Sequence, residues 1–181
     1  MKPIQVGLLG IGVVGSGTFN VLRRNQEEIR RRAGRGIEIT MVADLDVARA
    51  QALVGEGVQV VGDARAVIAN PEIDIVIELI GGYGIAKTLV LEAIASGKHV
   101  VTANKALLAV HGTEIFAAAS ARGVMVAFEA QDQAQVDRLY AIALAHGGTD
   151  EGPPGPRGDS GFYAGYFRDP DGNKLNAFVM G

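Results

Sequence analysis

The residues with the clearest chemical spacing form a glycine motif near the start of the chain. Residues 10–15 are GIGVVG; an apolar stretch, 4–9, precedes them and a long helical pattern follows them. In this context Gly10 permits a tight turn, Gly12 lets the backbone approach a phosphate, and Gly15 lets the helix pack close to the strand. The free N–H groups of the helix N-terminus would bind an anion. The motif therefore predicts dinucleotide binding; a purely structural glycine-rich turn is the alternative.

A carboxylate follows the second apolar stretch. Asp44 comes directly after residues 37–43, where an acid would bind the ribose hydroxyls of an adenosine and repel a 2′-phosphate. It lies further along the chain than the usual distance of about 20 positions from the glycines, which we attribute to the long first helix. Asp44 thus favours NAD over NADP, and the alternative is a surface acid before the next helix.

A lysine follows the fifth apolar stretch. Residues 102–105 are TANK, and Lys105 would lie on the cofactor side of a parallel sheet, where its amine could act as a general acid or base on a substrate hydroxyl. An exposed lysine without a chemical role is the alternative. His99, His111 and His146 match no metal-ligand spacing. The chain has no cysteine, so thiolate chemistry and cysteine-based metal sites are excluded.

These residues need a scaffold that brings the ends of several strands together. Apolar stretches alternate with helical patterns; we predict strands at 4–9, 37–43, 58–61, 73–80, 99–102 and 124–128, and helices at 13–32, 46–54, 64–70, 84–96 and 105–122, the last with a break near Gly112. This alternation predicts an α/β fold with a doubly wound parallel Rossmann sheet. Ligands of such sheets bind beyond the carboxyl ends of the strands, where all of the candidate residues lie.

The pattern changes after residue 129. We predict a helix at 131–146, a loop or linker at 147–161, where half of the six prolines fall, and a β-hairpin around the turn sequence DPDGN at 169–173. The glycine position in DPDGN and the lack of a closing glutamate argue against a calcium loop. The predicted domains are thus a Rossmann domain at 1–130 and an appendage at 131–181, which we expect to pack on the Rossmann sheet and cover an edge.

The composition excludes several function classes. The chain has 181 residues, of which 48% are hydrophobic and 20% charged, and a net charge of −3. It has no basic field for nucleic acid or an anionic membrane. We find no signal peptide and no apolar stretch long enough to span a bilayer, so a cytoplasmic location is expected.

Four stretches resemble the NAD(P)-binding domain of homoserine dehydrogenase: GLLGIGVVG at 7–15, VIELIGG at 76–82, GKHVVTANKALL at 97–108 and GVMVAFEA at 123–130. Members of that family oxidise homoserine to aspartate semialdehyde, or catalyse the reverse reaction, with NAD or NADP as cofactor. The resemblance therefore implies an oxidoreductase of amino-acid biosynthesis whose partners are a dinucleotide and homoserine or aspartate semialdehyde.

The resemblance also implies roles for particular residues. The stretch Gly10–Val14 would hold the pyrophosphate, through Gly10, Gly12, Val13 and Val14. Gly15 completes the motif. The ribose and nicotinamide would be bordered by Gly81 and Gly82, with Thr102 and Asn104 nearby. Lys105 matches the lysine implicated in proton transfer with the substrate hydroxyl. Glu129 matches the glutamate that opens a monovalent-cation loop.

The resemblance ends after Ala130. The family continues there into a substrate domain that supplies a second lysine, the acids that hold homoserine and most of the dimer contact. This chain continues instead as QDQAQVD. We therefore expect cofactor binding with lost or very weak turnover. The alternative is a non-catalytic nucleotide-binding or scaffold module. A homodimer is compatible with either function.

The tail, 126–180, resembles the last half-module of a glyoxalase-type (vicinal oxygen chelate) protein, on HGGTDEG at 146–152 and YFRDPDGNK at 166–174. Met125 and Asn176 stand about where that family places its His and Glu metal ligands, so we predict no metal site and consider a metalloprotein the least favoured alternative. Both families share VAFEA, 126–130, which indicates a chimera joined at this point.

Overall fold

The computed structural model of the chain describes residues 2–128, 130, 132–158, 161–168, 170, 172 and 174–180. It divides into two compact units, Met1–Val126 and Ala127–Gly181. Among the described residues, every helix is too short or too polar to cross a membrane.

A six-stranded sheet forms the centre of the fold. Its strands are β1 (Ile4–Leu9), β2 (Ile37–Ala43), β3 (Gln59–Val61), β4 (Ile75–Glu78), β5 (His99–Thr102) and β6 (Val126–Phe128). Their order is β3-β2-β1-β4-β5-β6, and β1 pairs in parallel with both β2 and β4. Because the order reverses between β1 and β4, the crevice for ligands lies beyond the carboxyl ends of these two strands. The predicted doubly wound Rossmann sheet is confirmed.

Helices cover both faces of this sheet: α1 (Val13–Arg24), α2 (Gln26–Ala33), α3 (Val47–Val54), α4 (Ala64–Ala69), α5 (Gly84–Ala95) and α6 (Lys105–Arg122). The strand side chains alternate between two hydrophobic clusters. Leu8 belongs to one cluster with Phe19 of α1, and Leu9 to the other with Leu89 of α5 and Leu107 of α6. Burial of each such side chain contributes about 1.5–3 kcal/mol, so the strands are held in place from both sides.

Two details of the predicted helices were wrong. The single helix predicted at 13–32 is divided at Asn25, whose φ of −102° and ψ of 20° are not helical; asparagine is a poor helix former. The predicted break near Gly112 does not occur, because α6 continues through it. Gly112 is a buried residue of this continuous helix, and a Cβ there would lie 3.5 Å from the Phe116 ring, an ordinary van der Waals distance.

The second unit combines one helix, α7 (Gln133–Ala145), with an antiparallel sheet of β7 (Thr149–Pro156), β8 (Phe162–Arg168) and β9 (Lys174–Met180), in that order. Its small core includes Val136, Ala177 and Val179. The predicted helix and the two hairpin strands are confirmed. Of the turn at 169–173, residues 169, 171 and 173 lie outside the described residues.

The loop predicted at 147–161 is wrong for its first half, because Thr149–Pro156 forms strand β7. Sequence rules disfavour proline in strands because it cannot donate a hydrogen bond. Here the strand is at the edge of its sheet and pairs with β8 alone. Its register shifts between Gly152 and Gly155, the interval that contains Pro153 and Pro154, so these prolines interrupt no regular pairing.

Candidate functional site

The glycine motif forms the turn between β1 and α1. Gly10 has a φ of +89°, a conformation that favours glycine, and a Cβ there would lie 3.0 Å from the carbonyl oxygen of Leu79. The Gly10 N–H donates to the carbonyl of Ala43 at 2.8 Å. The turn therefore lies against the ends of both neighbouring strands, β2 and β4.

The other two glycines have different surroundings. A Cβ at Gly15 would lie 2.2 Å from the carbonyl oxygen of Gly10, whereas a Cβ at Gly12 would have no protein atom within 4 Å. Gly15 is thus needed for close packing of α1 on the turn. Gly12 borders open space, which leaves room for a phosphate to approach the backbone closely.

The start of α1 is suited to an anion. Its N-cap is Gly12, which offers no side-chain hydrogen bond, and its first turn carries no acidic residue. Val13 and Val14 are 89% and 60% exposed. The first N–H groups of the helix therefore have no side-chain cap, and together with the helix dipole they form an anion-binding arrangement.

Asp44 connects the glycine turn to the loop after β2. Its Oδ2 accepts from the N–H of Ile11 at 2.9 Å, and its Oδ1 accepts from the N–H of Asp46 at 3.0 Å. Each oxygen of a carboxylate can accept a second hydrogen bond, so Asp44 can also bind a ribose hydroxyl. The Arg49 guanidinium lies on the same turn, where it donates to the Ile11 carbonyl at 3.4 Å.

A cavity of about 400 Å³ extends from the glycine turn, within the range of small-molecule sites. Its walls are mainly apolar, with a few polar groups, and are formed by Gly10, Gly12, Ala43, Asp44, Leu45, Gly62, Asp63, Ala64, Arg65, Leu79, Ile80, Ile85 and Leu89. Arg65 forms an ion pair with Glu92 at 3.0 Å, and this hydrogen-bonded contact raises the pKa of the guanidinium. The positive charge of Arg65 is thus already partnered.

A second group of predicted residues lies at the ends of β4 and β5. Gly81 and Gly82 both have positive φ values, 81° and 67°. The Thr102 hydroxyl, which is buried, accepts from the Asn104 N–H at 2.9 Å, and the Asn104 amide donates to the carbonyl of Gly82. Lys105 follows as the exposed first residue of α6. The structure thus brings Gly82, Thr102 and Asn104 together, and Lys105 follows them in the chain.

The predicted residues therefore form two groups. Gly10, Gly12 and Asp44 line the cavity. The second group does not line it: Gly81, Gly82, Thr102, Asn104 and Lys105. No group of three or more His, Asp or Glu suited to a metal occurs in the described part of the chain. Glu129 lies outside the described residues.

Two polar residues were missed by the sequence analysis. Arg65 lines the cavity, and nothing in its sequence context distinguishes it from other surface arginines. Glu78 is completely buried at the end of β4. The sequence does distinguish Glu78, because it is the one charged residue in the otherwise apolar stretch 75–80.

The parallel sheet carries a glycine turn, an exposed helix start and an adjoining carboxylate at the point where its strand order reverses. These features define a Rossmann-type dinucleotide-binding domain. Residues 10–129 match the family model described as homoserine dehydrogenase, NAD binding domain. The chain therefore belongs to the homoserine dehydrogenase family, through that domain.

Individual relatives agree with this assignment. A homoserine dehydrogenase of Pseudomonas aeruginosa is 60% identical over 143 residues, 78% of this chain and 32% of the relative. One of Methylobacillus glycogenes is 63% identical over 109 residues, 60% of this chain and 26% of the relative. The crystal structure of a homoserine dehydrogenase from Thiobacillus denitrificans matches with a TM-score of 0.69 and 51% identity, over 80% of this chain and 34% of that one. The chain thus spans about a third of the length of these relatives.

Proposed function

We propose that the chain binds NAD or NADP at the carboxyl edge of its parallel sheet and represents the cofactor-binding part of a homoserine dehydrogenase. The observation that carries this proposal is the glycine turn, in which Gly15 packs against Gly10 while Gly12 borders open space beside an uncapped helix start. Titration calorimetry with NADH and NADPH tests the proposal. Absence of binding heat, together with no thermal shift for either nucleotide, would refute it.

Each end of such a cofactor would have residues of suitable chemistry. Asp44 would accept from the adenosine ribose, the N–H groups at Val13 and Val14 would bind the pyrophosphate, and Leu45 and Ile85 provide apolar walls in the cavity. The nicotinamide end would be bordered by Gly81, Gly82, Thr102 and Asn104. When bound, the cofactor accepts or donates a hydride at the substrate carbon, and the Lys105 amine would exchange a proton with the oxygen on that carbon.

We propose that NAD is preferred over NADP. Asp44 lines the cavity, where its negative charge would repel a 2′-phosphate, whereas the nearby guanidinium of Arg65 is paired with Glu92. Asp44→Asn should raise the affinity for NADPH relative to NADH by about five- to tenfold, the equivalent of removing one like-charge contact near 4 Å in water. Asp46→Asn is the control, because asparagine also caps a helix. An unchanged ratio in Asp44→Asn, or an equal change in Asp46→Asn, would refute this preference.

We further propose that this chain, taken by itself, binds the cofactor without efficient turnover. It spans about a third of the length of its homoserine dehydrogenase relatives, and substrate orientation can contribute about 7–11 kcal/mol to a reaction of this kind. Homoserine oxidation monitored by NADH absorbance should therefore be very slow. Clear turnover that Lys105→Ala abolishes would contradict this part of the proposal and leave the binding proposal intact.

For the second unit we propose an appendage that packs on the Rossmann sheet. The supporting observation is that β3 and β6 are the edge strands of the sheet, and exposed edges promote association between chains. The resemblance of the tail to a glyoxalase-type half-module remains part of this proposal. Amide exchange compared between the full chain and a chain ending at Ala130 tests it; equal protection of β3 and β6 in both would refute the packing.

A further inference from the structure

A buried carboxylate lies among the loops proposed to hold the nicotinamide end of the cofactor. Glu78, the last residue of β4, is 0% exposed. Its Oε1 accepts from the N–H groups of Ile80 at 2.8 Å and Gly81 at 3.3 Å, and its Oε2 accepts from the Thr102 hydroxyl at 2.7 Å. All of these donors are neutral. A buried carboxylate held by neutral donors is costly for a fold, so its presence calls for an explanation beyond core packing.

The hydrogen bonds of Glu78 continue into the loop after β5. Thr102 donates to Glu78 and accepts from the Asn104 N–H at 2.9 Å. Asn104 in turn donates from its side chain to the Gly82 carbonyl and accepts from the Leu107 N–H at 3.1 Å. The bonds among Glu78, Thr102 and Asn104 form a closed circuit with the backbone at 80–82, which we call the Glu78 network.

The network connects three of the structural parts of the proposed site. Glu78 is paired in register with Leu9 of β1 and with Thr102 of β5, so it lies between the glycine turn and the loop that precedes Lys105. Asn104 is the N-cap of α6, and Lys105 is the first residue of that helix. The same carboxylate therefore sets the backbone of Gly81 and, through two further side chains, the start of the helix that carries Lys105.

We propose that Glu78 is a positioning residue, which couples the Gly81–Gly82 loop to the start of α6 and so holds the nicotinamide-binding loop and Lys105 in a fixed mutual arrangement. This inference rests on the proposed function for its purpose, while the coupling itself is a property of the protein without cofactor. One oxygen of Glu78 serves the loop after β4 and the other serves the loop after β5, so removal of this one carboxylate releases both attachments.

The variants that test the proposal are chosen from the two separate attachments of Glu78. Glu78→Gln keeps the shape, but while its one oxygen faces Ile80 and Gly81 its NH₂ is a donor, so the Thr102 hydroxyl loses the acceptor of its proton. Thr102→Val removes the hydroxyl link, and Thr102→Ser retains it. Lys98→Met is the matched control, because Lys98 is also charged and only 7% exposed but precedes the amino end of β5, at the opposite edge of the sheet.

Two measurements test the coupling. In the protein without cofactor, amide exchange at Gly81 and Leu107 should become about tenfold faster in Glu78→Gln and in Thr102→Val. The Kd for NADH should rise about tenfold in both, the equivalent of about 1.4 kcal/mol of binding free energy. The double variant should be no worse than either single one, and Thr102→Ser should resemble the unmodified protein.

Several outcomes would overturn the inference. It fails if Glu78→Gln and Thr102→Val lower the melting temperature but leave both Leu107 exchange and NADH affinity unchanged, as Lys98→Met should. It also fails if their effects simply add in the double variant, because independent sites show additivity. Should Glu78→Gln not fold, the comparison of Thr102→Val with Thr102→Ser decides the question. If the unmodified protein binds no NADH, the proposed function fails, and the exchange rates alone decide the coupling.

Discussion

Alanine at Gly15 should destabilise the first unit, whereas alanine at Gly12 should mainly weaken nucleotide binding. The two glycines belong to one motif, but a Cβ at Gly15 would lie 2.2 Å from the Gly10 carbonyl oxygen and a Cβ at Gly12 would contact nothing within 4 Å. The contact at Gly15 is with backbone, and the Gly10 N–H is itself bonded to Ala43. The turn therefore cannot yield as a flexible side chain would.

The magnitude follows from two opposing effects. A backbone overlap of this depth lies at the upper end of the about 1–3 kcal/mol that overpacking costs. Replacing glycine by alanine within a helix returns up to about 1 kcal/mol. The net loss at Gly15 is then about 2 kcal/mol, or a decrease in Tm of about 8 °C for a domain of this size. At Gly12, a helix N-cap, loss of glycine should cost less than about 1 kcal/mol.

Thermal unfolding followed by circular dichroism and NADH titration below Tm would test this prediction. Gly17→Ala is the control for helix propensity, because Gly17 is exposed in the same helix and a Cβ there would meet no neighbour; it should raise Tm slightly. Gly12→Ala should raise the Kd for NADH at least about tenfold, since the methyl group occupies the space assigned to the pyrophosphate. Equal Tm values for Gly12→Ala and Gly15→Ala, or unchanged NADH affinity in Gly12→Ala, would refute the reasoning.

Three further predictions concern positions outside the proposed site. Lys98→Met should lower the unfolding free energy by about 1–3 kcal/mol for each of the two backbone carbonyls that the buried amine binds, at 2.8 and 2.6 Å; an unchanged Tm would contradict this. Asp132→Ala should cost about 1 kcal/mol by removing the cap of α7, and Asp132→Ser should restore it; equal losses would show that capping is not the cause. The hydrogen bond to Asp150 raises the pKa of Tyr140 above its ordinary value, so its stabilising contribution is present below about pH 10 and is lost as pH rises through the raised pKa. The hydrogen bond to Asp137 raises the pKa of Tyr163 as well, so an absorbance titration at alkaline pH should lose one late tyrosine step in Tyr140→Phe and keep another; an unchanged number of late steps would refute the assignment.

The fold of the first unit could be predicted because its signals are local. Each buried strand is a short apolar stretch with a helical pattern after it, and alternation of this kind has one common solution, a doubly wound parallel sheet. The details that were wrong depend on packing that the local pattern does not show. Gly112 suggests a helix break, but it lies buried within the continuous helix α6. The prolines of β7 suggest a loop until the strand is found at a sheet edge with a shifted register.

The candidate site, like the fold, could be predicted from the sequence only in part. The glycine turn, Asp44 and the 102–105 stretch can be located from the residue pattern, because each lies at or directly after the visible end of a strand, and in a parallel sheet these ends meet at one edge. Their hydrogen-bond partners within the protein follow from the tertiary structure alone. The contact of Asp44 with Ile11 and the Glu78 network join residues more than twenty positions apart, and hydrogen bonds of that range depend on strand order and register. They acquire partners only when the sheet has formed, and no local pattern of residue types encodes them.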